Sequence, residues 1–236
     1  MLEIKKVTKK YGNKVAVDNI SLKIKDGEIF GFIGHNGAGK TTLIKSIVGI
    51  HKFEEGDIIL NNINIKEDEI KYKNQLSYIP DSPDLYENLR GIDYLNFISD
   101  IYEVSLERRV ELIKKYATIF ELYDNLGDFI SSYSHGMKQK LAIISALIHE
   151  PKLLILDEPF VGLDPKSSKK LKDLMKDLCN EGATIFFSSH VLEVVEKLCD
   201  RVGIIKNGKL IKVGTTKEIT SSEDLESVFL ELTDEK

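Results

Sequence analysis

The chain reads as an α/β protein: a mostly parallel sheet covered by helices, with a helical lobe inserted between strands. Three observations carry that reading. An apolar run, Ile29-Phe30-Gly31-Phe32-Ile33, leads through a glycine-rich turn into a second apolar segment, 43–48, the order of a buried strand feeding a helix. After residue 150, strand and helix patterns alternate, as parallel pairing requires when its crossovers are helices. Between these parts, segment 84–146 places apolar residues at helical intervals: Leu95, Ile98, Ile101 and Tyr102, then Val110, Ile113, Tyr116 and Phe120.

The elements follow in order. Segment 2–7 alternates at period two, 15–24 gives a second strand region, and Asp26-Gly27 is a turn signal before the buried strand. Segment 55–60 returns to a strand, and 76–79 is a strand that stops at Pro80, whose ring nitrogen has no proton for a ladder. Beyond the lobe, 153–156 is a buried strand, 167–179 a helix stopped by Gly182, 184–187 a strand and 191–198 a helix. Segments 202–205 and 209–213 flank Asn207-Gly208, a strong hairpin signal. The acidic end, 221–236, suits a short helix followed by a frayed tail. Residues 1–83 and 150–220 therefore form the core with its β subdomain, 84–149 the lobe, and 221–236 a terminal appendage. Ligands of such a sheet bind at the carboxyl ends of its strands.

Composition narrows the function classes. At 236 residues and 42% hydrophobic, the chain can pack one large domain or a domain with a lobe. A net charge of -5 argues against a nucleic-acid partner held by overall basicity. Cys179 and Cys199 have no metal-ligand spacing and read as reduced core thiols. No basic start followed by a long apolar region opens the chain, and its longest apolar stretch, 141–148, is well short of the ~20 residues a bilayer needs. A soluble, cytoplasmic polypeptide is expected, with any membrane part on another chain.

Gly34-His35-Asn36-Gly37-Ala38-Gly39-Lys40-Thr41-Thr42 fits a glycine, four free positions, then Gly-Lys-Thr, the phosphate-cradling pattern. Glycines let successive N–H groups face one anion, and the following helix adds the positive end of its dipole. Lys40 places a point cation on outer phosphates, Thr41 offers a hydroxyl to magnesium, and Thr42 is set to hydrogen-bond an inner phosphate. A turn that merely joins strand to helix is the plainer alternative. The second chemical feature is Leu153-Leu154-Ile155-Leu156-Asp157-Glu158, an apolar strand ending in adjacent carboxylates, unfavourable at a core edge unless a cation or substrate uses them. Asp157 suits magnesium through water, and Glu158, pointing differently, suits a general base for an attacking water. Taken alone, an acidic strand end in solvent reads the same segment.

Tyr11, the loop 34–42, Ser134-His135-Gly136-Met137-Lys138-Gln139, segment 153–159, Gly162-Leu163-Asp164 and His190 resemble, in order and spacing, the nucleotide-binding subunit of ATP-binding cassette (ABC) transporters. The resemblance covers nearly the whole chain, and the segment at 134–139 is its most specific element. It implies an ABC-type P-loop core with an antiparallel N-terminal β subdomain, and ATP with Mg2+ as cofactors. Tyr11 would stack on adenine; Gly34, Asn36, Gly37, Ala38, Gly39, Lys40, Thr41 and Thr42 would hold phosphates. Glu158, His190 and Lys40 would be catalytic, with His190 touching the terminal phosphate, and Thr41, Asp157 and Asp81 would face the metal. Asp164 matches the family's loop that crosses a dimer interface. Ser134 and Gly136 would meet the terminal phosphate held by a second copy, making ATP the glue of a homodimer. By itself, Ser134 equally reads as an ordinary helix cap.

Three positions depart from the family pattern. His135 stands where a glycine is usual, Met137 where a glutamine is, and Asp81 in place of another glutamine. A carboxylate at 81 can reach hydrated magnesium, but it adds negative charge and donates no hydrogen bond. The Tyr-Ser-x-Gly-Met-Lys-Gln variant, the run at 79–88 and the ending at 228–233 look most like the ATPase subunits of ABC-2 type exporters. That implies a separate polytopic permease, with this chain peripheral on the inner face of the membrane and no nucleic-acid partner. The permease would dock near 81–94, where Leu85, Tyr86 and Leu89 either contact it or pack the lobe. A soluble relative acting on DNA or ribosomes would need long coiled coils or two fused cassettes, and this sequence has neither. A nucleotide-gated regulatory ATPase not directly coupled to transport stays open through Asp81 and His135.

Overall fold

The computed structural model describes residues 1–221 and 223–234. Two sheets share one layer of apolar side chains. The first is antiparallel, in the order β2 (Lys14–Ile24), β1 (Leu2–Tyr11), β4 (Glu55–Leu60), β5 (Ile63–Asn64). Period-two alternation in β1 is interrupted at Lys6, where φ is 50° and the register shifts between Ile4 and Val7. This bulge returns Val7 to the buried face after two consecutive lysines.

The second sheet runs β10 (Lys209–Thr215), β9 (Arg201–Lys206), β3 (Ile29–Ile33), β8 (Thr184–Ser188), β7 (Leu153–Asp157), β6 (Leu76–Ile79). Every pairing in it is parallel except β9 with β10. Asn207 and Gly208 turn that hairpin with φ of 50° and 79°, the two left-handed positions that its strand twist favours. All residues of β3, β7 and β8 are buried, as sheet strands covered on both faces must be. Alternate side chains feed two cores. Phe30, Phe32, Ile155 and Phe186 meet the antiparallel sheet and α1 (Lys40–Ile47), while Ile29, Ile33, Leu154, Leu156 and Phe187 meet the helices of the opposite face.

Those helices are α5 (His135–Leu147), α6 (Pro165–Asn180), α7 (Leu192–Leu198) and α9 (Leu225–Asp234), with α3 (Gly91–Ile101) and α4 (Leu106–Ile119) packed outward on α5. Helix in the lobe begins at Gly91 rather than 84, because Pro80 and Pro83 hold the entry extended and Arg90 bridges to Phe129. Leu85 is nevertheless buried there. Three short elements lack a sequence expectation: β5, α2 (Glu69–Lys73) and α8 (Thr216–Ile219). Each is too brief for its period to register, although Asp68 caps α2 and Thr215 with Glu218 forms a capping box on α8. The terminal helix is present as α9; the tail expected after it at 235–236 lies outside the described residues. Cys179 and Cys199 are free thiols. Among the described residues, no helix is long and apolar enough to cross a membrane.

Candidate functional site

The carboxyl ends of β3, β7 and β8 converge on the loop 34–39, which enters α1. Gly39 holds φ at 112°, and a Cβ there would lie 2.5 Å from the Ala16 carbonyl oxygen. A side chain is therefore excluded on two counts. No side chain caps α1, so its first-turn N–H groups remain available to an anion. Lys40 is buried and folds back on the loop, donating to Gly34 O at 2.6 Å and His35 O at 3.3 Å. Burial pushes its pKa down, and the charges of Glu158 and Asp157 pull it back up. A buried ammonium satisfied only by carbonyls is poised for an anionic partner.

Asp157 ends β7 and is 2% exposed. Its Oδ2 accepts from the Thr41 hydroxyl at 2.9 Å and its Oδ1 from the Ser188 hydroxyl. The next residue, Glu158, turns out of the strand at φ 52°, with its N–H donating to the Ser188 carbonyl and hydroxyl oxygens, each at 3.2 Å. That left-handed step for a non-glycine residue is strained. It separates the two neighbouring carboxylates. Glu158 Oε2 sits 2.9 Å from His190 Nδ1 and accepts the His190 N–H at 3.3 Å.

A cleft of about 310 Å³ collects these groups. Tyr11, Lys14 and Ala16 line it together with the loop, Lys40, Thr41 and Thr42, and with Asp81, Asp157 and Glu158. Asn36, Gly37 and Gly39 are on it; Ala38 is buried beneath the loop. Gly34 and His190 line an adjoining hollow of about 420 Å³, which shares His35, Asn36 and Glu158 and is also lined by Phe229. The His35 and Phe229 rings lie 4.9 Å apart. Ser134 and Gly136 line neither space. Ser134 caps α5, accepting the Met137 N–H at 3.3 Å, and the His135 ring lies against Gly162. Asp164 caps α6, accepting the Ser167 N–H at 2.8 Å, and pairs with Lys140 at 3.3 Å.

Ser188 has no sequence expectation. Its one signal is a polar residue closing the apolar strand 184–187, and its importance comes from register, which sets it opposite Asp157. The donor set fits a magnesium nucleotide: uncapped N–H groups and an ammonium for phosphates, a hydroxyl and a buried carboxylate side by side for a hard cation.

A parallel sheet with this loop at its switch point and an acidic strand end beside it defines a P-loop nucleotide-binding protein. Residues 17–161 match the family described as ABC transporter. The chain belongs to that family. It is 38% identical over 224 residues to the linearmycin resistance ATP-binding protein LnrL of Bacillus subtilis (strain 168), covering 94% of this chain and 71% of the relative. A solved structure of the ATP-binding subunit of an ABC transporter superposes with a TM-score of 0.95 at 33% identity, covering 98% of this chain and 99% of that one. A dimeric ATP-binding cassette in a post-hydrolysis state, bound to ADP and Pi, superposes with a TM-score of 0.83 at 26% identity, covering 92% and 99%.

Proposed function

We propose that this chain hydrolyses ATP to ADP and phosphate as the motor subunit of an ABC exporter, working as a homodimer on a separate membrane permease. The observation that carries the reading is the convergence of Lys40, Thr41, Asp157 and Glu158 on one cleft, with His190 on the carboxylate of Glu158. Thr41 and Asp157 would hold Mg2+, with Asp81 lining the same cleft. Bound there, the cation would supply charge neutralisation for the phosphates. Glu158 takes the proton of the attacking water, while His190 orients that carboxylate and faces the terminal phosphate. Lys40 exchanges its two carbonyl partners for phosphate oxygens, and Tyr11 stacks on the base.

Residues 1–83 and 150–220 act as the nucleotide-binding body, 84–149 as the lobe that meets the permease, and 221–236 as a terminal appendage. Apolar exposure supports that docking face: Tyr86 and Phe97 are exposed, their rings 5.8 Å apart, and Ile101 lies on the same helix as Phe97. Leu85 is buried and Leu89 half-buried, so these two pack the lobe. The dimeric state of the solved cassette supports pairing of two copies. The resistance role in the name of LnrL supports export. Such a subunit sits on the cytoplasmic face of the membrane through its permease.

Phosphate release by purified wild type and Glu158→Gln tests the chemistry. Slow turnover in the wild type and loss of about 10²-fold or more in the variant are expected, with ATP still bound to both. Equal rates would remove Glu158 as the base.

A further inference from the structure

Lys9 and Tyr11 sit two residues apart near the end of β1, on the same face of the strand. The Lys9 ammonium lies over the Tyr11 ring, 5.2 Å from its centroid. Only 13% of the Lys9 side chain is exposed, and Glu54 Oε1 accepts from its ammonium at 3.0 Å. Glu54 is fixed in turn: Oε2 accepts the Lys10 N–H at 2.7 Å, and its own N–H donates to Thr8 O at 2.9 Å. From the segment between α1 and β4, the His51 ring meets Tyr11 at 85° with centroids 5.9 Å apart. His51 is anchored through its N–H to Lys45 O at 2.9 Å, in the last turn of the helix that begins at the phosphate loop.

Tyr11 is 46% exposed and precedes a two-residue turn, where an unsupported aromatic ring would sample several rotamers. Here a cation covers one face and an imidazole meets the ring at right angles. We infer that Lys9, held by Glu54, is a positioning residue that presets the Tyr11 ring, together with His51, as the platform for the nucleotide base. This rests on the reading that Tyr11 meets the base. Ordering the ring before the ligand arrives removes an entropy loss from binding, and the ammonium draws π density away from the opposite face. Lys9 does not line the cleft, so its effect reaches only ligands that carry a base.

Calorimetric titration of the full chain with MgATP and with magnesium tripolyphosphate tests this, alongside the melting temperature of each variant. Lys9→Met is expected to raise the Kd for ATP about 3- to 10-fold, with tripolyphosphate affinity and melting temperature unchanged. Lys9→Arg, which can cover the ring and pair with Glu54, restores affinity to within about twofold. Tyr11→Ala weakens ATP and spares tripolyphosphate. If Tyr11→Ala weakens ATP while Lys9→Met binds it as the wild type does, the positioning role is overturned and the base platform stands. If Tyr11→Ala also binds ATP normally, the platform itself is wrong. Equal weakening of ATP and tripolyphosphate by Lys9→Met reduces Lys9 to a structural residue and overturns the inference.

Discussion

Asp157 illustrates how much of the site depends on a single neighbour. Both of its oxygens accept hydroxyl protons, one from Thr41 in the phosphate loop and one from Ser188 on the next strand. If magnesium draws Thr41 Oγ1 to itself, Ser188 is left to orient the carboxylate. Ser188→Ala is therefore expected to weaken magnesium-dependent ATP binding by about 10-fold or more, read as the Kd for MgATP against that for ATP in EDTA. An unchanged ratio would make Ser188 a packing residue. Lys40 with Thr41, and Asp157 with Glu158, are legible in sequence because each pair sits in a short segment whose residue types and spacing suit phosphate chemistry. Ser188 and Lys9 are not, since a serine closing a strand and a lysine on one are ordinary. Their significance arises only when β7 pairs with β8 and when Glu54 folds back on β1. The positive φ of Glu158 is also invisible in sequence, yet it accompanies the turn of the adjacent carboxylates toward different partners, Thr41 and Ser188 for one and His190 for the other.

Elements are legible in proportion to their length and to how fully they are buried. The wholly buried strands β3, β7 and β8 declare themselves as apolar runs; α2, α8 and β5 are decided by caps and by pairing across space. The junction of β6 with α5 shows tertiary context acting on one side chain. His149 follows α5, stacks on Tyr102 with ring centroids 3.6 Å apart, and turns Nε2 toward Leu76 O at 3.3 Å and Ser77 Oγ at 3.2 Å. Burial pushes its pKa down to about 4, whereas an unfolded histidine titrates near ~6.5. Between those values the unfolded chain holds more protons than the folded one, so acidification favours unfolding. The contribution is complete above pH ~6.5 and fades as pH drops toward the folded value, a loss of about 2 kcal/mol between pH ~7 and ~5. Melting curves of wild type and His149→Gln across that window check it. The wild type is expected to lose the greater stability, and parallel losses would show that folding leaves the His149 pKa unchanged.

At the scale of the whole molecule, the proposed homodimer would add a second copy's residues to the site. The cleft holds cation, hydroxyl, carboxylates and aromatic ring, yet Ser134 and Gly136 open α5 away from it. If a second copy supplies that helix start to the nucleotide, association must depend on ATP and on the charge presented at 134. The two duties of Ser134 can be separated. Aspartate caps a helix about as well as serine, so Ser134→Asp preserves the fold of α5; a carboxylate facing a triphosphate, however, is repelled across the seam. In the Glu158→Gln background, where ATP is expected to persist, sedimentation is expected to show a dimer with MgATP and a monomer without it. Adding Ser134→Asp is expected to leave the melting temperature unchanged and abolish the dimer, while a MgATP titration of the monomer keeps its affinity. Because association is governed by mass action, the comparison is made at equal protomer concentration. A Glu158→Gln chain that stays monomeric with saturating MgATP, or a Ser134→Asp chain that dimerises as well as its parent, would place the helix start of α5 outside the nucleotide seam and leave Ser134 as a cap alone.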